Sequence, residues 1–264
     1  MRKPFVIGLS VLSVVLGSAT NVWAVCSNQV EQDFVGLICP GTPGTNGEMR
    51  TGRWINDDGG VFEGTVTVLD NPDGSQIVQK QGTLRTPRYV GALTHTESRS
   101  VTGAKSSESK LIGKEALPDG VLDGTTTLTI NQDVSQQMST NGALHSSTFD
   151  GTYFRNETRS IAGTMVGQQL VGREVLAGGG TFLGTTTLVI NVDGSQRMDK
   201  NGDIRSATFD GTYIRTDTRS VTGAKTVSEQ YTGTWTLSPT LKSSGSYTII
   251  INPDGSVSKT DTRR

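Results

Sequence analysis

Shifted by sixty positions, this chain falls back on itself. Gly64-Thr65-Val66-Thr67-Val68 returns as Gly124-Thr125-Thr126-Thr127-Leu128 and as Gly184-Thr185-Thr186-Thr187-Leu188. Asn71-Pro72-Asp73-Gly74-Ser75-Gln76 returns as Asn131-Gln132-Asp133-Val134-Ser135-Gln136 and as Asn191-Val192-Asp193-Gly194-Ser195-Gln196. Glu97-Ser98-Arg99-Ser100 returns as Glu157-Thr158-Arg159-Ser160 and as Asp217-Thr218-Arg219-Ser220. A period held almost without insertion marks a structural unit whose copies must pack against one another.

Within a unit the pattern has period two. From Thr185 to Ile190, Thr186, Leu188 and Ile190 share one face while Thr185, Thr187 and Val189 share the other. Asn191-Val192-Asp193-Gly194 then supplies turn chemistry, and Asn201-Gly202 carries the two-residue hairpin signature, so a second turn is expected there. A longer strand is expected from Thr212 to Ser220. No stretch beyond the N-terminus keeps a 3.6-residue apolar period. Only 33% of residues are hydrophobic, low for a globular enzyme, so the sheet faces must be rich in hydroxyls. The fold class is therefore all-β, an antiparallel β-meander of repeated units. The Asp-Gly and Asn-Gly turns are similar to those of MORN-type hairpin repeats, but period and glycine spacing differ, so no property of that family is carried over.

The units divide as residues 52–111, 112–171 and 172–231, followed by a half unit at 232–264. Before them, residues 25–51 contain Phe34-Val35-Gly36-Leu37-Ile38, which resembles the second-half signatures Tyr89-Val90-Gly91-Ala92-Leu93, Phe149-Asp150-Gly151-Thr152-Tyr153 and Phe209-Asp210-Gly211-Thr212-Tyr213. Two complementary halves would let the sheet close as a propeller-like ring or a barrel and lose its edges. An open stack with eroded ends is the alternative. A membrane barrel is disfavoured, because neither strand face is continuously apolar.

Arg2 and Lys3, the apolar run Phe5 to Leu16, and Val22-Trp23-Ala24 form a secretory signal peptide, residues 1–24, cleaved after Ala24. The run is too short to span a bilayer. Export implies a secreted, periplasmic or cell-surface protein, in which Cys26 and Cys39 pair as a disulfide worth about 3 kcal/mol on the chain-entropy scale. Val25 argues against acylation of Cys26. A net charge of −1 and a pI near 6.1 give no electrostatic case for nucleic acid or for an anionic membrane.

Candidate chemistry is sparse. His95 aligns with Arg155 and Arg215, and His145 with Arg85 and Arg205, which predicts surface cation positions and not catalytic bases. The most regular polar feature is a charge ladder. Tyr153, Arg155, Glu157 and Arg159 alternate onto one strand face, as do Tyr213, Arg215, Asp217 and Arg219 in the next copy and Leu93, His95, Glu97 and Arg99 in the first. It reads as a solvated face with ion pairs or, more sharply, as a binding surface in which Arg grips carboxylates or sugar hydroxyls beside a ring. The Asn-x-Asp-Gly-Ser segments fail as calcium loops because Leu69 and Val189 stand where acidic ligands are needed. Asp57-Asp58 reads as a turn. No metal or cofactor motif is present, and Thr125, Thr127 and Thr129 fit a strand face open to solvent or carbohydrate. These features predict an exported, non-enzymatic protein of surface structure, adhesion or glycan and protein binding, with self-association as one outcome. The alternative is a secreted glycan-active enzyme using the aligned carboxylates Glu63 and Asp123.

Overall fold

The computed structural model describes residues 48–55 and 59–264. The signal peptide, Cys26, Cys39, the Phe34–Ile38 segment and Asp57-Asp58 lie outside the described residues. Fifteen strands follow in order: β1 (Glu48–Ile55), β2 (Val61–Asp70), β3 (Gln76–Arg85), β4 (Tyr89–Arg99), β5 (Lys105–Leu117), β6 (Gly120–Ile130), β7 (Gln136–Ser146), β8 (Phe149–Ser160), β9 (Gly163–Val175), β10 (Thr181–Ile190), β11 (Gln196–Arg205), β12 (Phe209–Arg219), β13 (Lys225–Ser238), β14 (Leu241–Ile251) and β15 (Val257–Asp261). They form one antiparallel meander in sequence order, and the described residues contain no helix. Among the described residues the order is linear and β15 does not pair with β1, so these strands do not close into a ring or barrel. Strands starting at Val61, Gly120, Thr181 and Leu241 show that each unit is four strands long. Contacts divide the described chain into two compact units, residues up to 135 and residues 136–264.

The turns follow from local side-chain chemistry. In the β10–β11 turn, Gly194 N donates to Asn191 O, and Asn191 N donates to Ser195 O, each at 2.9 Å. Asp193 Oδ1 accepts from Ser195 N and Oγ. The same bonds recur at Asn71–Ser75 and Asn131–Ser135. The expected turn at Asn201-Gly202 is not there. Both residues lie inside β11, and the chain turns three residues later, where Ser206 Oγ accepts from Phe209 N at 3.0 Å. Gly202 is needed for another reason. It sits opposite Gly184, and a Cβ on it would lie 2.3 Å from Leu183 O. Glycine lets the two backbones approach, and the Phe182 ring covers the gap at Gly184. The expected strand from Thr212 begins at Phe209 instead.

One face of the sheet is buried. In residues up to 135 it joins Phe62, Val66, Leu84, Tyr89, Leu93 and Leu111, with Trp54 and Val78 against them. In residues 136–264 it joins Phe182, Ile204, Phe209 and Tyr213, with Leu176, Tyr231 and Trp235 packed on. Each such ring or branched chain stabilises by about 1.5–3 kcal/mol. Hydrogen-bonded rows also drift. The row from Phe149 passes Glu174, Phe182 and Ile204 to Gly211, whereas the repeat maps Phe149 onto Phe209, two positions earlier. Phe62 likewise leads through Leu84, Gly91 and Gly113 to Gly124, two beyond Leu122. An even drift keeps each side chain on its face. It also continues the glycine row of Gly172, Gly184 and Gly202 as Tyr213, Tyr231 and Tyr247, so the buried face stays filled.

Candidate functional site

The charge ladder lies on the buried face. Tyr153, Arg155 and Glu157 are 6%, 5% and 4% exposed, and Tyr213, Arg215 and Asp217 are buried alongside their own copy. Only the ends, Arg159 and Arg219, reach solvent. The solvated-face expectation is therefore overturned for the core of the ladder. Strand alternation explains why: these residues share parity with Phe149 and Phe209, which anchor the core. His95 is buried as well, its Nδ1 hydrogen-bonded to Ser109 Oγ at 2.7 Å, and is not at the surface as its alignment predicted. His145 is exposed and bonded to Asp150, in the place where the next copy pairs Arg205 with Asp210.

Each cation belongs to a row of three polar residues crossing three strands. The rows are Lys80, His95 and Ser109; Thr140, Arg155 and Gln168; and Lys200, Arg215 and Glu229. In the last row Arg215 forms a fork on Asp217, Nε to Oδ1 and Nη2 to Oδ2, both at 2.8 Å. Its Nη1 donates to Glu229 Oε1 at 2.7 Å. Burial works against the Arg215 charge, but the Asp217 hydrogen bonds and neighbouring anionic groups outweigh it and raise the guanidinium pKa. Burial, aided by the Glu229 charge, pushes the Tyr213 phenol up to about 12. Tyr213 and Tyr231 stay neutral and donate to the Glu229 carboxylate, at 3.4 and 3.3 Å. Lys200 donates to both oxygens of Glu174, at 3.0 and 2.7 Å, and stands 5.5 Å over the Phe182 ring.

The middle row is less complete. Arg155 donates to Glu157 at 2.6 Å, and Arg159 binds the other carboxylate oxygen. Burial disfavours the Glu157 charge, yet the bonds from Arg155 and Arg159 prevail and hold its pKa below the usual range. Arg155 Nε is buried with no hydrogen-bond partner. In residues up to 135, Glu97 lies 3.7 Å from both Arg99 and Lys105. Glu115 faces Tyr89, and burial lifts its pKa, partly offset by Arg88.

This arrangement pairs charge with charge inside the sheet, and the hydroxyl–imidazole contact of Ser109 with His95 is buried among it. Among the described residues no group of three His, Cys, Asp or Glu could hold a metal ion. Glu63 and Asp123 sit on the opposite, open face in exposed ion pairs with Arg53 and Lys114, at 3.3 and 3.9 Å. The open face also carries hydroxyl rows, with Thr51 bonded to Thr65 at 3.0 Å and Thr234 to Ser244 at 3.1 Å. Sequence reasoning missed Ser109, Gln168 and Glu229, because they recur at spacings of 59 and 61 instead of sixty. The β8–β9 turn, Ser160 to Gly163, is one residue shorter than Ser100 to Ala104, and the turn from Leu176 to Gly180 restores the count. No family model matches the chain, and neither a curated protein nor a solved structure matches it.

Proposed function

We propose that this is an exported, non-enzymatic β-repeat protein of the cell surface or its surroundings, acting in surface structure or adhesion by holding glycan or another protein on its open sheet face. The observation that carries this reading is the division of labour between faces. The ionisable groups of the ladder are used internally, while the open face from β8 to β12 aligns Thr152, Val171, Thr185, Asn201 and Ile214 in one hydrogen-bonded row. The adjacent row holds Phe154, Gln169, Thr187, Asp199 and Thr216. Hydroxyl, amide and apolar groups interleaved on ordered strands match the alternating polar and apolar surface of a sugar ring. The carboxylates of the enzyme alternative, Glu63 and Asp123, have no observation in their favour.

The test is a glycan and matrix-protein array probed with the mature chain, alongside Thr185→Arg and Asn201→Arg. Binding by the parent that both variants lose supports the reading. A monodisperse monomer that captures nothing, or variants that bind like the parent, would remove it.

A further inference from the structure

Three turns that join equivalent strands carry an aliphatic residue at the tip. These are Val101, Ile161 and Val221, which are 61%, 109% and 60% exposed. Nothing in a turn of this kind requires an apolar tip. In Ser220–Ala224 the backbone needs are met locally. Ser220 N donates to Ala224 O, Gly223 N to Ser220 O, and Ala224 N to Ser220 Oγ. Such a turn can enter a medium of low polarity without orphaning those amides.

The neck of the turn carries unbalanced positive charge. Arg219 stands directly across from Lys225, a like-charge pairing that weakens a sheet in isolation. Asp217 is 4.0 Å from Lys225 but is already forked by Arg215, and the Arg219 side chain forms no hydrogen bond or ion pair among the described residues. The first copy also places Arg99 opposite Lys105 below Val101, but there Glu97 lies 3.7 Å from both cations.

We infer that the turn edge of residues 136–264 docks on a lipid surface bearing anionic headgroups, with Ile161 and Val221 entering the interface and Arg219 and Lys225 meeting phosphate. In strand order the β10–β11 turn lies between these two, and its Val192 is 46% exposed. Val192 closes against the β8–β9 turn, where a Cβ on Gly163 would lie 3.1 Å from its Cγ1, so Ile161 and Val192 offer one shared apolar contact. Asp193 and Asp254, in neighbouring turns, keep their carboxylates ionised through bonds from Ser195 and Ser256, which limits the docking to a shallow one. This surface is distinct from the open face, so failure of a glycan screen leaves it untouched.

Sedimentation of the mature chain with vesicles of phosphatidylcholine, with and without phosphatidylglycerol, tests the inference. The chain should follow the anionic vesicles and be released by salt. Ile161→Ser with Val221→Ser should lower partitioning about tenfold, as loss of two small apolar anchors implies. Arg219→Gln with Lys225→Gln should abolish the preference for phosphatidylglycerol, while Leu241→Ser, exposed at the opposite strand ends, should leave vesicle partitioning unchanged. A parent chain that stays in the supernatant, or tip variants that partition like the parent with unaltered circular dichroism, would overturn it.

Discussion

Arg155 on β8 and Arg215 on β12 hold the same place in successive copies, but Thr140, Glu157 and Gln168 around the first become Lys200, Asp217 and Glu229 around the second. Arg215 faces Glu229 across the ladder, while Arg155 faces Gln168. With the acid present, the guanidinium bonds through Nε, Nη1 and Nη2 to two carboxylates. Beside Gln168, Arg155 reaches Glu157 through Nη2 while its Nε, the atom that bonds Asp217 in the other copy, is unpartnered, and Arg159 from the strand end takes the second Glu157 oxygen. A buried charge is thus tolerated in both copies but satisfied in one. Ionic groups in such a place select register more than they add net stability.

The largest expected effect comes from removing the cations. Arg215→Met leaves the buried Asp217 with only Lys225 at 4.0 Å and the half-buried Glu229 with only its two tyrosine donors, and should cost about 3–5 kcal/mol. Arg155→Met leaves Glu157 still paired with Arg159 and should cost about 1–3 kcal/mol. Both sites lie in residues 136–264, so urea unfolding compares them within one compact unit. Equal losses would mean that the Glu229 contact does not distinguish the copies.

Acid sharpens the same comparison. Glu157 has a folded pKa below its unfolded value, so its stabilisation is complete above about pH 4.3 and is lost as pH falls through the folded value. Glu157→Gln should cost about 1–3 kcal/mol at pH 7. The gap from the parent should shrink steadily on acidification. A gap that stays constant down to pH 2 would show that the carboxylate's charge is not what Arg155 and Arg159 hold.

Gln168→Glu transplants the β13 acid into β9. It offers Arg155 the partner that Arg215 already has, and should stabilise by about 1 kcal/mol. Thermal unfolding at pH 7 should then rise by about 2–4 °C. A fall instead would show that desolvating a second carboxylate outweighs the bond it makes.

The repeat and the all-β meander were legible because Gly, Asn and Asp punctuate period-two runs at fixed intervals. The ladder residues were correctly grouped on one face, but a period of two does not say which face is buried. That choice is made by Phe149, Phe182 and Phe209, whose rings share the ladder's parity. Gly202 misled for a related reason: a glycine following Asn signals a hairpin locally, whereas here the strand crossing over Gly184 demands it. The Arg215–Glu229 contact was hidden by compensating turn lengths, which shift β9 against the sixty-residue frame.

The smallest effect concerns a turn where one copy departs from the others. Val134 occupies the position of Gly74 and Gly194 and is the one non-glycine residue with positive φ among those described, at 65°. The turn keeps its hydrogen bonds all the same, with Val134 N donating to Asn131 O at 2.9 Å. A β-branched residue held there costs about 1–2 kcal/mol. Glycine would relieve that strain while adding about 0.5–1 kcal/mol of backbone entropy to the unfolded chain. Val134→Gly should therefore stabilise by somewhat under about 1 kcal/mol, and Gly194→Val should destabilise by a similar amount. Measured together, the pair isolates turn strain from sequence context, because the flanking Asn, Asp and Ser bonds are the same in both turns. If Val134→Gly lowers the unfolding midpoint, the tip valine is contributing a contact that outweighs its backbone strain.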